Sequence, residues 1–243
     1  METISPHSGS RWVREWLDTA LSVLFPHRCS GCRRPGTVFC ATCAQSLLRL
    51  APPICAACGK SVTGRALCRD CGERPPPVCA RSYALYQGPL VSALLHMKYR
   101  PNRELAELMG TWLVDLYRGL RWQATLVVPV PLADKRRRHR GYNQSALVAS
   151  ALATTIGVPH DEEALHRIRE TRSQVGLDPA DRSFNVRGAF EARGESVRGK
   201  TVLVVDDLWT TGATLISCAE ALLTAGANQV LGLTVARARG RWG

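Results

Sequence analysis

The chain has 243 residues, 45% of them hydrophobic, with a formal net charge of +12 and a pI near 9.6. That length and apolar content suit one ordinary core plus a small module. No apolar run approaches the length needed to span a bilayer, and the basic balance favours polyanionic partners: phosphate-rich ligands, nucleic acid or anionic lipid surfaces.

Residues 1–26 read as an N-terminal tail and an amphipathic helix. Residues 1–10 read as disordered, whereas Trp12, Trp16, Thr19 or Ala20, Val23 and Leu24 share one helical face. The plain reading is a surface helix docked on the protein, with a membrane-surface or partner helix as the alternative. Arg14, Glu15 and Asp18 interrupt its apolar run, which therefore lacks the uncharged core of an export signal. The expectation is a cytoplasmic chain, and ten cysteines in a reducing compartment point to metal rather than disulfides.

Residues 27–74 carry four CxxC knuckles: Cys29 and Cys32, Cys40 and Cys43, Cys55 and Cys58, Cys68 and Cys71. The two-residue spacer lets a pair of thiolates grip one ion from a tight turn, and two such turns complete a tetrahedron. The simplest allocation is sequential, with one Zn²⁺ on the first quartet and one on the second. Spacing leaves a crossed pairing open, and the count stands at one or two structural zinc ions. Four thiolates leave no open position for catalysis. Few apolar residues accompany them, so metal is expected to supply much of the module's folding free energy, and Cys29→Ser to spare the α/β domain. Cys79 and Cys218 fall outside the pattern.

Arg74-Pro75-Pro76-Pro77 reads as a stiff linker. After it, residues 80–243 read as an α/β domain. Tyr83 to Tyr86 predicts a strand, Leu90 to Tyr99 a helix, and Arg103 to Tyr117 a second helix. Leu126 to Pro131 reads as a buried strand that frays at its prolines. An unbroken basic run follows as a loop, Lys135, Arg136, Arg137, Arg138, His139 and Arg140, before a helix over Ser145 to Ile156. A basic run is most simply a solvated surface; this one leaves a central strand at the edge where ligands bind in open α/β sheets.

The stretch around which the domain is organised is Val202 to Leu215. Val202, Leu203, Val204 and Val205 read as a strand buried on both faces. Asp206 and Asp207 stand at its carboxyl end, and two adjacent carboxylates there suit ribose hydroxyls and a hydrated Mg²⁺. Thr210, Thr211, Gly212, Ala213 and Thr214 then open a helix reaching about Leu223, offering free N–H groups and hydroxyls to a phosphate.

The run VVDDLWTTGAT resembles the phosphoribosyl-pyrophosphate (PRPP) loop of type I phosphoribosyltransferases. With the cysteine array, HMKYRPNRELAELMG, VPVPLADKRRRHRGYNQ and TRSQVGLDPADRSFNVRGAF, the chain resembles the ComF family from Cys29 to Arg239. RGYNQ stands where RGFNQ is more usual. The resemblance implies a type I phosphoribosyltransferase-like parallel sheet behind a zinc-ribbon module. It implies that Asp206 and Asp207 take the sugar with Mg²⁺, and that Thr210 to Thr214 take the 5′-phosphate. Leu132 to Arg140, with Lys135, Arg136 and Arg140, correspond to the pyrophosphate loop. Arg169 to Arg187, including Gln174, sit where the family's mobile flap lies, with Asn185 to Phe190 returning it to the sheet and a last strand over Val230 to Ala236.

PRPP is highly anionic, and its anomeric carbon becomes cationic as pyrophosphate leaves. A protein therefore acts on it chiefly by positioning charge and excluding water. His139 and His166 are the candidate acid/base groups, although lone histidines usually serve no such role. No acceptor pocket is legible. Two functions of different classes follow. One is Mg²⁺-dependent phosphoribosyl transfer to an unassigned acceptor. The other is a non-catalytic PRPP sensor or single-stranded DNA-binding accessory, working with a DNA-uptake helicase in competence. Only Tyr142 interleaves the basic run, fewer rings than a single-strand platform normally shows.

Overall fold

The computed structural model describes residues 27–169 and 188–239. The segment expected to form an amphipathic helix, and Gln174 with most of the expected flap, lie outside the described residues.

The cysteine region contains two knuckle pairs, each ending in a five-residue helix: α1 (Ala41–Gln45) and α2 (Arg69–Glu73). The α/β domain begins with β1 (Cys79–Leu85), α3 (Pro89–Tyr99) and α4 (Arg103–Leu120). The Asn102 side chain caps α4 by accepting from the Leu105 N–H. Next come β2 (Leu126–Pro129), α5 (Asp134–Arg140) and α6 (Gln144–Ile156). The short strands β3 (Leu165–Arg167) and β4 (Phe190–Ala192) precede α7 (Gly194–Val197). β5 (Thr201–Trp209), α8 (Ala213–Thr224) and β6 (Gln229–Arg237) complete the order.

Strands pair in parallel in the order β1-β6-β5-β2. Both faces are covered, which is why the central strands read as unbroken apolar runs. Leu203, Val205, Leu231 and Leu233 pack with Leu94, Met97, Leu113 and Leu152 from α3, α4 and α6. Val202, Val204, Leu126 and Val128 pack on the other face with Leu215 and Leu222 of α8 and with Leu165 and Phe190.

The structure corrects three expectations. The basic run is helix α5, not a loop. Gly141 ends it in a left-handed conformation (φ 74°), its N–H bonded to the Arg137 carbonyl at 2.8 Å. The strand at Phe190 does not return to the parallel sheet; it pairs antiparallel with β3 as a separate two-stranded ribbon. β5 runs on through Trp209, so both acids lie inside the strand. The cysteine module, expected to draw much of its folding free energy from metal, also packs on the main core. Val38, Phe39 and Leu47 bury themselves in the main core. Phe39 meets the edge of Trp112 at 5.4 Å, and Trp112 stacks on Tyr83 of β1 at 5.2 Å. The second knuckle pair packs with Val78 and Ala80 on the other side of the sheet.

Candidate sugar-phosphate site and metal centres

β5 carries Asp206 and Asp207 towards the carboxyl edge of the sheet, flanked by β6 and by the start of α6. The Asp207 carboxylate, 7% exposed, meets Lys98 Nζ at 3.3 Å and accepts from Gln144 Nε2 at 3.3 Å. Asp206 Oδ1 accepts from Ser145 Oγ and from the Asp207 N–H, both at 2.9 Å. Burial, reinforced by the adjacent Asp207 charge, pushes the Asp206 carboxyl up to about 7 despite those bonds. Burial works against the Lys98 charge, but Asp207 and then Asp206 outweigh it and hold the lysine above its ordinary value. The pair is therefore poised between neutral and charged at Asp206, with Lys98 as its fixed counter-ion.

The RGYNQ stretch supplies the support for these acids. Tyr142 donates to the Met97 carbonyl, pinning the helix that carries Lys98. Asn143 donates to the Val130 carbonyl at 3.0 Å and caps α6 by accepting from the Ser145 N–H at 3.1 Å. Gln144 and Ser145 follow, both almost fully buried, and Gln144 takes a bond from Arg140 Nη1 at 3.1 Å. Lys98, Gln144 and Ser145 are the site residues that sequence reasoning missed. The available signal was a lysine ending an otherwise apolar helix, and two polar residues directly after a cap.

The Thr/Gly loop adjoins the acids at the end of β5. Gly212 sits at φ 85° and begins α8; a Cβ there would lie 2.2 Å from the Trp209 ring. Only glycine permits both that conformation and that contact. The Ala213 N–H donates to Thr211 Oγ1 at 3.3 Å. Thr210, Thr211 and Thr214 are half-buried on the same loop.

On α5, Arg136 and Arg140 are half-buried, one turn apart, whereas Lys135, Arg137, Arg138 and His139 are exposed. Arg137 lies 3.7 Å from Glu163, which also approaches His166 and Arg193. A small cavity of ≈ 140 Å³ opens here between Arg137, Asn143, Glu162 and His166. The structure thus brings the acids, α6 and Lys98 together, and leaves His139 exposed on the outer side of α5.

The thiols of Cys29, Cys32, Cys40 and Cys43, and those of Cys55, Cys58, Cys68 and Cys71, form two groups, each with sulfurs within 4.8 Å of one another. Contacts of 3.6 Å (Cys29 to Cys43), 3.7 Å (Cys32 to Cys40) and 3.8 Å (Cys58 to Cys68) match the edge of about 3.8 Å of a Zn²⁺ tetrahedron with bonds of about 2.3 Å. In each quartet burial opposes ionisation, yet backbone N–H donors pull one thiol, Cys29 or Cys55, down to about 6. Both quartets fit Zn²⁺, and sequential pairing is the arrangement the fold adopts. Behind the second, Arg237 donates to the Cys58 carbonyl at 2.7 Å and to its sulfur at 3.5 Å.

An all-parallel sheet with paired acids and a Thr/Gly loop at its carboxyl edge, joined to two four-cysteine knuckles, defines a zinc-ribbon phosphoribosyltransferase-like protein. The description "double zinc ribbon domain" matches residues 20–72, and "phosphoribosyl transferase domain" matches residues 111–243. The chain is 31% identical over 220 residues to the DNA utilization protein YhgH of Salmonella typhimurium, covering 84% of this chain and 94% of that one. It is 26% identical over 202 residues to Competence protein ComFC of Bacillus subtilis, covering 79% and 81%. It is 27% identical over 227 residues to Competence protein F of Haemophilus influenzae, covering 88% and 98%. The chain belongs to the ComF family of phosphoribosyltransferase-like proteins.

Proposed function

We propose that the carboxyl edge of the sheet binds PRPP with Mg²⁺ and that the chain uses this site in the handling of incoming DNA. The observation that carries the reading is the Asp206–Asp207 pair, held by Lys98, Gln144 and Ser145 beside the Gly212 loop. Two neighbouring carboxylates with a dedicated lysine suit a sugar diol and a hydrated cation, and the loop's N–H groups suit a phosphate. Arg136 and Arg140, on the half-buried side of α5, suit the pyrophosphate, and Asp206 ionises as ligand binds. The test is calorimetry of PRPP with Mg²⁺ on the wild-type chain and on Asp206→Asn/Asp207→Asn, followed by turnover against a panel of bases and amines. Unchanged affinity in the double variant would overturn the site.

A second role rests on the outer side of α5. Lys135, Arg137, Arg138 and His139 are exposed, and these cations exceed what a pyrophosphate can use. Side chains on a helix point about 100° apart, so the six basic positions cannot contribute equally. The outer ones suit single-stranded DNA, a context also suggested by the relatives' names. Changing Lys135, Arg137 and Arg138 together to Ser should preserve PRPP binding. It should reduce the salt slope of single-stranded DNA binding by about 0.7 log units per lost phosphate contact. Arg136→Ser should do the reverse. An unchanged slope in the triple variant would defeat the DNA role of α5.

A further inference from the structure

A second cleft lies away from the paired acids, between the first cysteine knuckle and α3. It encloses ≈ 360 Å³ and is lined by Ser30, Arg33, Leu95, His96, Tyr99 and Arg100 among others. That volume falls in the ordinary range for a small-ligand site. Its chemistry is one-sided: Arg33 and Arg100 supply positive charge, and no carboxylate lines it among the described residues. Tyr99 is 78% exposed and Leu95 42%, an aromatic and an aliphatic face left open on α3. Two of its lining residues each carry a buried polar atom without a hydrogen-bond partner: Ser30, 2% exposed, at Oγ, and His96 at Nδ1. Buried polar atoms without a partner are rare, and turning either side chain into the cleft lets a ligand supply the missing bond.

The knuckle itself favours a ligand here. Arg33 adopts φ 68° directly after Cys32, whereas in the second knuckle the residue directly after Cys58 is Gly59, at φ 73°. A left-handed arginine carries a steric cost that a glycine would not. Nothing in the packing of the first knuckle requires the side chain, which is exposed at the cleft. Burial, then Arg33 and Arg100, pull the His96 imidazole below its ordinary value.

We propose that this cleft is a nucleotide site, taking a nucleoside monophosphate unit with its phosphate on Arg33 and Arg100, its base against Tyr99 and Leu95, and its polar edges on Ser30 and His96. The site is separate from the paired acids, but the two share α3: Lys98, next to Tyr99, reaches Asp207. A ligand on Tyr99 and Arg100 therefore acts on the helix that positions the counter-ion of the acids.

The experiment uses the full zinc-loaded chain carrying Asp206→Asn/Asp207→Asn, which disables the first site. Calorimetry is run with AMP, CMP, GMP, dTMP and inorganic phosphate. At least one nucleotide should bind, tighter than phosphate, and its affinity should drop tenfold or more when Arg33→Ser/Arg100→Ser is added and about tenfold with Tyr99→Ala. Tyr99 and Arg100 are exposed, so thermal melts should be unchanged. Displacement of the nucleotide by a dodecamer of deoxythymidylate would identify a strand as the source of the unit; no displacement would identify a free nucleotide. Failure of all four nucleotides to bind, binding no tighter than phosphate, or binding indifferent to Tyr99 and the two arginines would each overturn the proposal.

Discussion

Arg237, the last residue of β6, donates to the backbone carbonyl of Cys58, 179 positions earlier, at 2.7 Å. The same guanidinium lies 4.9 Å from the centre of the Trp209 ring, and that ring fills the space a side chain at Gly212 would need. A cysteine knuckle, a buried cation, an indole and the Gly212 loop are thus in one line of contact. Four thiolates around Zn²⁺ carry two net negative charges, and Arg237 offsets them where water is excluded. Arg237→Met should speed zinc release from the second quartet by about tenfold or more, and leave the first quartet unaffected. Chelator competition read with a chromogenic zinc indicator should resolve one fast and one slow equivalent.

Gly212→Ala should cost about 1–3 kcal/mol of stability, because the added carbon meets Trp209 and the backbone stays at φ 85°. Thr211→Val exchanges the hydroxyl for a methyl, losing only a long 3.3 Å bond from the Ala213 N–H, and is the cleaner probe of phosphate binding. It should weaken PRPP several-fold while lowering the melting temperature by no more than about 4 °C.

The two acids should respond oppositely to amidation. Asp207→Asn leaves Lys98 without its carboxylate at 3.3 Å and should destabilise by about 1–3 kcal/mol. Asp206→Asn relieves like-charge repulsion while keeping shape, and above pH 7 should stabilise by on the order of 1 kcal/mol, about 2–4 °C in Tm. Denaturant titration of both single variants checks the signs.

Proton linkage follows from Asp206. Its folded-state pKa of about 7 exceeds the unfolded value near 4, so the native state holds the extra proton. Its contribution to stability is full below pH 4, falls as pH rises to about 7, and is flat beyond. A cation or diol that requires the carboxylate must expel that proton. Affinity for PRPP with Mg²⁺ should therefore rise between pH 6 and 8, with proton release visible as a buffer-dependent enthalpy. Asp206→Asn should lose that part of the release while retaining the part due to the ligand's own phosphates.

The cysteine module should unfold with the α/β domain rather than apart from it. Phe39→Ala removes the ring that meets Trp112 and should cost about 3 kcal/mol of global stability, with near-UV circular dichroism and zinc release coinciding in one transition. Two separated transitions would show independent modules. Cys29, 0% exposed within the same core, extends the expectation: Cys29→Ser should weaken the whole chain.

The features legible in the sequence were those whose physical cause is local. Two-residue cysteine spacing sets how close two sulfurs can come, whatever the rest of the chain does. The run from Val202 to Val205 is apolar throughout because both faces are covered. Thr210 to Thr214 is small and hydroxylated because a helix start must leave its N–H groups accessible. The Lys98–Asp207 pair, the Arg237–Cys58 bond and the Phe39–Trp112–Tyr83 stack belong to no such stretch. Each joins segments distant in sequence, and their meeting depends on the strand order β1-β6-β5-β2 and on which helices cover each face. The basic run shows the division within six residues. Its charge was plain from composition, but whether it formed a loop or a helix, and which cations met partners such as Gln144 and Glu163, was decided by the tertiary structure. Charge is a property of the residue, whereas burial is a property of its neighbours.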